Sequence, residues 1–137
     1  MIYGVILTSW KRELTKQTDI LFVSMPSRAN SNTPPISFLY LAGFLDKHTS
    51  FQSAILDYKI PIYKEATPYQ KQCIKTKIFT AIEMLEPRFI GFSLLPADWF
   101  DFLELAKEIK NRFDVKIIAG GVLPTVDPES LKGISKN

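Results

Sequence analysis

The chain has 137 residues, of which 46% are hydrophobic, and a net charge of +3 with basic and acidic residues interspersed. This length suits one domain, and the composition predicts a packed core rather than disorder. No block of five like charges occurs, so the weakly basic surface does not predict a nucleic-acid partner.

The single cysteine, Cys73, limits the chemistry that this chain can carry. One thiol cannot form an internal disulfide, an iron–sulfur cluster or a Cys-rich zinc site. It lies in an amphipathic stretch without an evident base partner, which predicts a core or boundary residue. The apolar N-terminus lacks the features of a signal peptide, and no run reaches the roughly 18 apolar residues of a membrane span. We therefore expect a cytoplasmic protein without a membrane partner.

Two continuous apolar runs, residues 19–25 and 89–95, have the pattern of buried parallel strands, and each is followed by proline. Residues 52–57 and 115–119 are weaker strand candidates. Met1 to Ser9 is a candidate for a substitute edge strand. Residues 24–35, rich in Ser, Asn and Pro, predict a loop.

Helical patterns lie between the predicted strands. Residues 35–47 are apolar on nearly all sides, which predicts a helix that packs on more than one side. Residues 68–85 and 98–113 each carry one apolar stripe at helical spacing. Asp98 is placed to cap the last helix, and Asp101 adds negative charge to its first turn.

The alternation of strands and helices predicts an α/β fold, namely a flavodoxin-like (Rossmann-like) doubly wound parallel sheet. We expect the four parallel strands in the order second, first, third, fourth. Residues 1–18 are predicted to be an N-terminal extension and residues 19–137 the α/β domain. A fifth parallel strand is not found after residue 119, so we expect the domain to be truncated at its C-terminus.

Ligands of such sheets bind at the carboxyl ends of the strands, near the reversal of strand order. That edge comprises residues 26–34, 93–98 and 120–125. Ser93 offers a hydroxyl, and Gly120-Gly121 either lets a bulky ligand approach the backbone or forms only a tight turn. Asp57 is either a turn residue or a contact for a polar ligand group.

Common catalytic and phosphate-binding motifs are absent from the sequence. No Gly-x-Gly-x-x-Gly or Walker pattern follows the first strand, and no catalytic residue is predicted. The single histidine, His48, lies at the predicted C-terminus of a helix, where a cation complements the helix dipole. We expect no metal ligand among the side chains.

Four features together resemble the cobalamin (vitamin B12)-binding domain at the N-terminus of radical SAM enzymes. Ser93-Leu94-Leu95 is similar to the Ser-x-Leu motif on the third strand, and Gly120-Gly121 is similar to the Gly-Gly motif after the fourth. Residues 34–57 resemble the family's Pro-Pro segment, apolar helix and strand ending in Leu-Asp. Residues 120–129 resemble its Gly-Gly, Pro-Thr and Pro-Glu pattern.

The resemblance implies a cobalamin-binding module of a methyltransferase-type enzyme. The nucleotide tail of the cofactor would enter between the ends of the third and fourth strands, and a metal, cobalt, would come with the cofactor. The Asp-x-His-x-x-Gly motif of cobalamin-binding domains in general is absent from the first loop. Members of the radical SAM branch commonly lack its histidine too, so the resemblance implies cobalamin without a protein imidazole on cobalt. The cofactor-binding residues implied by the resemblance are Ser93, Leu95, Gly120, Gly121, Pro124, Thr125, Pro26 and Asn30.

The radical chemistry itself would need a second domain or chain. The iron–sulfur cluster and S-adenosylmethionine of such enzymes require a three-cysteine motif, whereas this chain has one cysteine. The radical SAM catalytic domain or chain is therefore the implied partner, and the apolar helix of residues 35–47 is the surface that could face it. Two alternatives stay open: a degenerate, ligand-free interaction module, or a flavodoxin-like binder of another flat cofactor such as FMN.

Overall fold

The computed structural model describes residues 3–8, 18–25, 35–59 and 67–132. They form one five-stranded sheet with helices on both faces. The strands are β1 (Tyr3–Thr8), β2 (Ile20–Ser24), β3 (Ser53–Lys59), β4 (Phe89–Ser93) and β5 (Lys116–Gly120). The helices are α1 (Ile36–His48), α2 (Pro68–Leu85), α3 (Trp99–Arg112) and the short α4 (Val122–Val126). Two 3-10 turns cover Pro96–Asp98 and Pro128–Leu131.

The strand order is β1-β3-β2-β4-β5. Strands β3, β2, β4 and β5 pair in parallel, which confirms the predicted order of the four parallel strands and the flavodoxin-like fold. β1 pairs antiparallel with β3, so the N-terminal segment supplies an edge strand. Parallel neighbours need a crossover, and α1, α2 and α3 provide the three crossovers.

Alternate residues of the strands pack on opposite faces of the sheet. On one face, Leu21 and Val23 of β2 pack with α2 and α3 in the larger core cluster, which also contains Ile78 and Phe102. On the other face, Ile20, Phe22 and Ile55 pack against Phe38 of α1. The two faces explain why β2 is apolar along its whole length.

Local sequence explains the bounds of α2, which match the prediction. Thr67 and Gln70 form a reciprocal capping box: the Gln70 amide donates to Thr67 Oγ1 at 3.2 Å, and the Thr67 amide donates to Gln70 Oε1 at 2.8 Å. Pro68 follows the cap, where its missing N–H costs nothing. Glu86 ends the helix in the left-handed region, with φ 44°.

Helix α1 differs from its prediction, because it packs on one side only among the described residues. Phe38 is its buried residue, with Ala42 and Leu45 half-buried beside it. The remaining large apolar side chains of the helix are exposed: Ile36, Leu39, Tyr40, Leu41 and Phe44. Helix α1 lies over β2 and β3 and contacts the sheet through the stripe that contains Phe38. No other described segment covers the outer face of α1. None of the helices in the described ranges has both the length and the apolarity needed to cross a bilayer.

Candidate functional site

The carboxyl ends of the parallel strands carry a row of small and polar residues. Ser24 of β2 pairs in register with Ser93 of β4, and Ser93 pairs with Gly120 of β5. Asp57 continues the row on β3, one residue past the last residue pair of that strand with β2. Because side chains alternate along a strand, these positions lie on the same face as Phe22 and α1. We call Asp57, Ser24, Ser93 and Gly120 the edge row.

The two serines of the edge row keep free hydrogen-bonding capacity. Ser24 and Ser93 are half-buried. Neither hydroxyl has a hydrogen-bond partner within the part of the chain that the structure describes. A hydroxyl donates one hydrogen bond and accepts up to two, so the row offers polar groups at the carboxyl ends of the strands.

Gly120 of the edge row and the adjacent Gly121 have different surroundings. A Cβ on Gly120 would meet a single described atom within 4 Å, the Phe92 carbonyl oxygen at 3.9 Å. A Cβ on Gly121 would lie 2.8 Å from the Leu94 nitrogen and 3.0 Å from Ser93 Oγ, and Gly121 has a φ of +97°. Gly120 therefore keeps space open beside Ser93, whereas Gly121 allows the chain to turn closely over Leu94.

Backbone hydrogen bonds tie the segment after β4 to the end of β5. The Leu94 amide donates to the Gly120 carbonyl at 2.8 Å, and the Leu123 amide donates to the Leu94 carbonyl at 3.2 Å. Leu94 itself is fully buried in the larger core cluster. The Ser-x-Leu and Gly-Gly segments therefore form one structural unit.

Asp98 does not cap α3 through its side chain, contrary to the prediction. It is buried, with 2% of its surface exposed, and its Oδ2 accepts a hydrogen bond from the Leu95 amide at 3.1 Å. Its backbone conformation is helical because it already belongs to the 3-10 turn, so its side chain points back towards Leu95 instead of forward along α3. Burial raises the pKa of Asp98 to about 6, against the opposing effect of the Leu95 hydrogen bond, and the charge of Asp101 adds to the increase.

The other predicted site residues either lie beside the edge row without belonging to it or fall outside the described residues. Leu95 is half-buried and lies next to the row through Leu94. Pro124 and Thr125 lie in α4, where the Thr125 hydroxyl donates to the Gly121 carbonyl at 2.8 Å. Pro26 and Asn30 fall outside the described residues.

Two residues considered in the sequence lie away from the edge row. His48 is the last residue of α1, so it lies towards the amino ends of the strands, and its ring is 4.4 Å from that of Phe44. Cys73 is a half-buried residue of α2. No group of three His, Cys, Asp or Glu side chains forms a metal site within the described ranges.

A cavity of about 240 Å³ lies between α2 and α3, on the opposite face of the sheet from the edge row. Its floor includes Met25 and Ile78. The charged residues at its rim pair with one another, as Lys71 with Asp101 at 2.9 Å and Lys75 with Glu104 at 2.9 Å. The described residues that line this cavity offer no unpaired charge to a ligand, and the cavity is separate from the edge row.

Comparison with known families agrees with the geometry at the edge row. The profile of the B12 binding domain matches residues 27–135, which is more than three quarters of the chain. The chain belongs to the B12-binding domain family. No match was found among the curated proteins or the solved structures. Family membership supports cobalamin as the ligand of this domain, and the matched range includes both Ser93 and Gly120.

Sequence reasoning missed two features of this B12-binding domain. Ser24 joins the edge row through the register of β2 with β4, and its only sequence signal is a polar residue at the end of an apolar run. Asp98 lies in the turn of residues 93–98 that was expected at the ligand edge, but it was predicted as an ordinary cap, and its burial depends on how α3 packs against the sheet. Neither the register of Ser24 nor the burial of Asp98 is visible from residue spacing alone.

Proposed function

We propose that this B12-binding domain holds cobalamin at the edge row, with the nucleotide tail beside Ser93 and Gly120. The observation that carries the proposal is the open space at Gly120 next to a serine hydroxyl without a described partner. A Cβ at position 120 would project into this space, so glycine there keeps it available for a bulky ligand. Ser24 and Ser93 would hydrogen-bond the polar groups of the tail.

We further propose that the cobalt of the bound cofactor has no imidazole ligand from this chain. The chain contains one histidine, His48, and it lies at the end of α1 distant from the edge row. Strand β4 has five residues, so the amino ends and the carboxyl ends of the strands are separated by roughly 16 Å at 3.3 Å per residue. An imidazole at the amino edge cannot reach a group bound at the carboxyl edge.

On the basis of the sequence motifs, we also propose that this domain is part of a radical SAM enzyme. When bound, cobalamin supplies a cobalt centre that can accept and donate a methyl group. The iron–sulfur cluster and S-adenosylmethionine would belong to a partner domain or chain in the cytoplasm, because the single Cys73 cannot bind a cluster. The exposed apolar face of α1 starts at the carboxyl edge of the sheet, so we propose it as the contact surface for that partner.

The binding proposal is tested by mixing the purified chain with hydroxocobalamin, removing free ligand and recording the visible spectrum. We expect stoichiometric retention, with a spectrum that lacks imidazole coordination. Gly120→Val should abolish retention while the chain stays folded, because position 120 has a β-strand conformation that valine tolerates. Gly43→Val is the matched control, since a Cβ at Gly43 meets nothing within 4 Å on exposed α1.

The outcomes of this experiment separate the three functions. A folded chain that retains no cobalamin would overturn the proposal and favour the ligand-free interaction module. Retention of FMN in a parallel incubation, without cobalamin, would favour the flavodoxin-like alternative. The radical SAM proposal is tested separately, by sequencing the surrounding coding region for a Cys-x-x-x-Cys-x-x-Cys motif. If the surrounding coding region contains no such cysteine motif, a radical SAM domain or chain encoded there is ruled out as the partner.

A further inference from the structure

Asp98 combines burial with an unused acceptor. Of the described polar and charged residues, it and Thr18 are the buried ones, and Asp98 has 2% of its surface exposed. Its Oδ2 accepts from the Leu95 amide, but its Oδ1 is buried and has no hydrogen-bond partner among the residues that the structure describes. A buried carboxyl group with an unmatched oxygen is costly to the fold, and such costs concentrate at functional sites.

Asp98 forms hydrogen bonds with both the amide and the carbonyl group of Leu95. The Asp98 amide donates to the Leu95 carbonyl at 2.9 Å, while the Leu95 amide donates to Asp98 Oδ2 at 3.1 Å. The neighbouring Leu94 is fixed separately to the carbonyl of Gly120. The segment that carries Ser93 is therefore held by β5 at one residue and by Asp98 at the next.

We propose that Asp98 is a positioning residue, which holds the Ser93–Leu95 segment in the conformation that receives the ligand. The inference rests on the proposed binding of cobalamin at the edge row. The ionised carboxylate forms a stronger hydrogen bond with the Leu95 amide than the neutral acid does. Ligand affinity should therefore depend on the ionisation of Asp98, although Asp98 does not itself contact the ligand.

Among the described residues, Asp101 is the charged group that acts on the pKa of Asp98. Asp101 lies one turn further along α3, and Lys71 of α2 pairs with Asp101 at 2.9 Å. The segments at positions 93–97 and 122–126 contain no ionisable side chain. Burial is the main cause that raises the pKa of Asp98, to about 6, so its ionisation falls within an accessible pH range.

The test measures hydroxocobalamin affinity of the full chain between pH 5 and 7.5, for the wild type and three variants. We expect the wild-type affinity to rise about tenfold across this range, which is a typical effect of one charge-assisted hydrogen bond. Asp98→Asn keeps an acceptor for the Leu95 amide without a charge, so it should bind with little pH dependence. Asp98→Ala should bind weakly at every pH. Asp101→Asn, the matched control, should keep the pH dependence with a slightly lower midpoint, because the charge of Asp101 adds to the raised pKa of Asp98.

A ligand-free measurement distinguishes failure of this inference from failure of cobalamin binding. In the wild type, the amide resonance of Leu95 should shift with a midpoint near pH 6, and this shift should be lost in Asp98→Asn. If the wild type binds no cobalamin, the proposed function fails whatever the resonance does. If it binds and Asp98→Asn has the wild-type pH profile, or if the folded Asp98→Ala binds normally, Asp98 does not position the segment.

Discussion

Gly121 lies directly against the backbone of Leu94, so closely that a Cβ at position 121 would be 2.8 Å from the Leu94 nitrogen and 2.9 Å from its oxygen. Both atoms are backbone, and the Leu94 amide is bound to Gly120, so neither can move aside easily. The contact explains why the turn after β5 requires glycine. It also means that a substitution at Gly121 tests the fold before it tests ligand binding.

We predict that Gly121→Ala lowers the free energy of unfolding by about 2 kcal/mol or more, because it combines a positive φ with a backbone clash. Gly120→Ala should change it by about 1 kcal/mol or less, since among the described residues the new methyl group meets only the Phe92 carbonyl oxygen, at 3.9 Å. Urea denaturation of both variants measures the difference. Equal effects at the two positions would contradict the separate roles assigned to them.

The second prediction concerns Gly91, which accommodates an aromatic ring in the middle of the sheet. A Cβ on Gly91 would lie 2.8 Å from Cδ1 of Phe22, whose ring stacks on Phe38 with centroids 5.1 Å apart. Both rings are buried, so Gly91→Ala should destabilise the fold by about 1–3 kcal/mol through overpacking.

The smaller side chain in Phe22→Leu should relieve part of that clash. The double variant Gly91→Ala/Phe22→Leu should therefore be more stable than the sum of the two single effects implies, by about 0.5 kcal/mol or more. A double-mutant cycle in urea gives this coupling directly. Strict additivity would show that Gly91 is not constrained by the Phe22 ring.

The third prediction compares two aromatic residues of α1. Phe38 is 4% exposed and contacts the sheet, whereas Tyr40 is 73% exposed on the outer face of the helix. Phe38→Ala should cost about 3–5 kcal/mol, and Tyr40→Ala should change stability by about 0.5 kcal/mol or less. Thermal or urea unfolding measures both. A large loss in Tyr40→Ala would show that another part of the chain covers this face.

Periodicity in the sequence was sufficient for the parallel strands and the three long helices. The continuous apolar run of β2 indicated a strand buried on both faces, and the predicted helix of residues 68–85 began at Pro68, since proline is favoured in the first helical turn. The pairing order could be predicted because right-handed crossovers leave few topologies. Each of these features follows from residues close together in the sequence or from the general handedness of crossovers in parallel sheets.

The details of the site depend on contacts between distant segments, which periodicity does not contain. The different roles of Gly120 and Gly121 follow from the position of Leu94, about 26 residues earlier in the chain. Ser24 joins Ser93 only through strand register. The apolar pattern of α1 predicted burial on more than one side, but composition cannot say whether a second packing surface is present.

The fourth prediction concerns Lys75, which joins α2 to α3. Its Nζ lies 2.9 Å from Glu104 Oε1 and 2.6 Å from Glu108 Oε1, and its side chain is 18% exposed. The hydrogen bonds that Lys75 donates to Glu108 and Glu104 raise the pKa of Lys75, and Lys75 lowers the pKa of Glu104. Lys75→Met should destabilise the fold by about 1 kcal/mol at pH 7, near the upper end of values for partly exposed pairs.

The pH dependence of this effect follows from the direction of both shifts. A lowered carboxyl pKa contributes stability that is lost as the pH falls through it, and the raised pKa of Lys75 keeps its contribution until alkaline pH. The difference between wild type and Lys75→Met should therefore shrink towards pH 3. Lys71→Met, which removes the more exposed pair with Asp101, is the control and should have a smaller effect. A difference that stays constant down to pH 3 would argue against ion pairing.

The last prediction is that Asp98 lowers the stability of the fold at neutral pH. Its pKa is about 6 in the folded chain, compared with an ordinary value of 3.8. Between these values the folded state binds more protons than the unfolded state, so the contribution of Asp98 to stability falls as the pH rises from about 4 to 6. A shift of about two units corresponds to a cost of up to about 3 kcal/mol once the group is ionised.

Asp98→Asn removes this ionisation and retains an acceptor for the Leu95 amide. The variant should be close to wild-type stability near pH 4 and more stable than wild type at pH 7.5, because only the wild type then carries a buried charge. Urea unfolding of both proteins at the two pH values measures this, and pH effects from all other groups cancel in the comparison. A stability difference that is the same at pH 4 and pH 7.5 would show that Asp98 is ionised or neutral throughout. If Asp98→Asn is more stable than wild type at pH 7.5 but binds cobalamin more weakly, the buried carboxylate lowers the stability of the fold while it supports the ligand site.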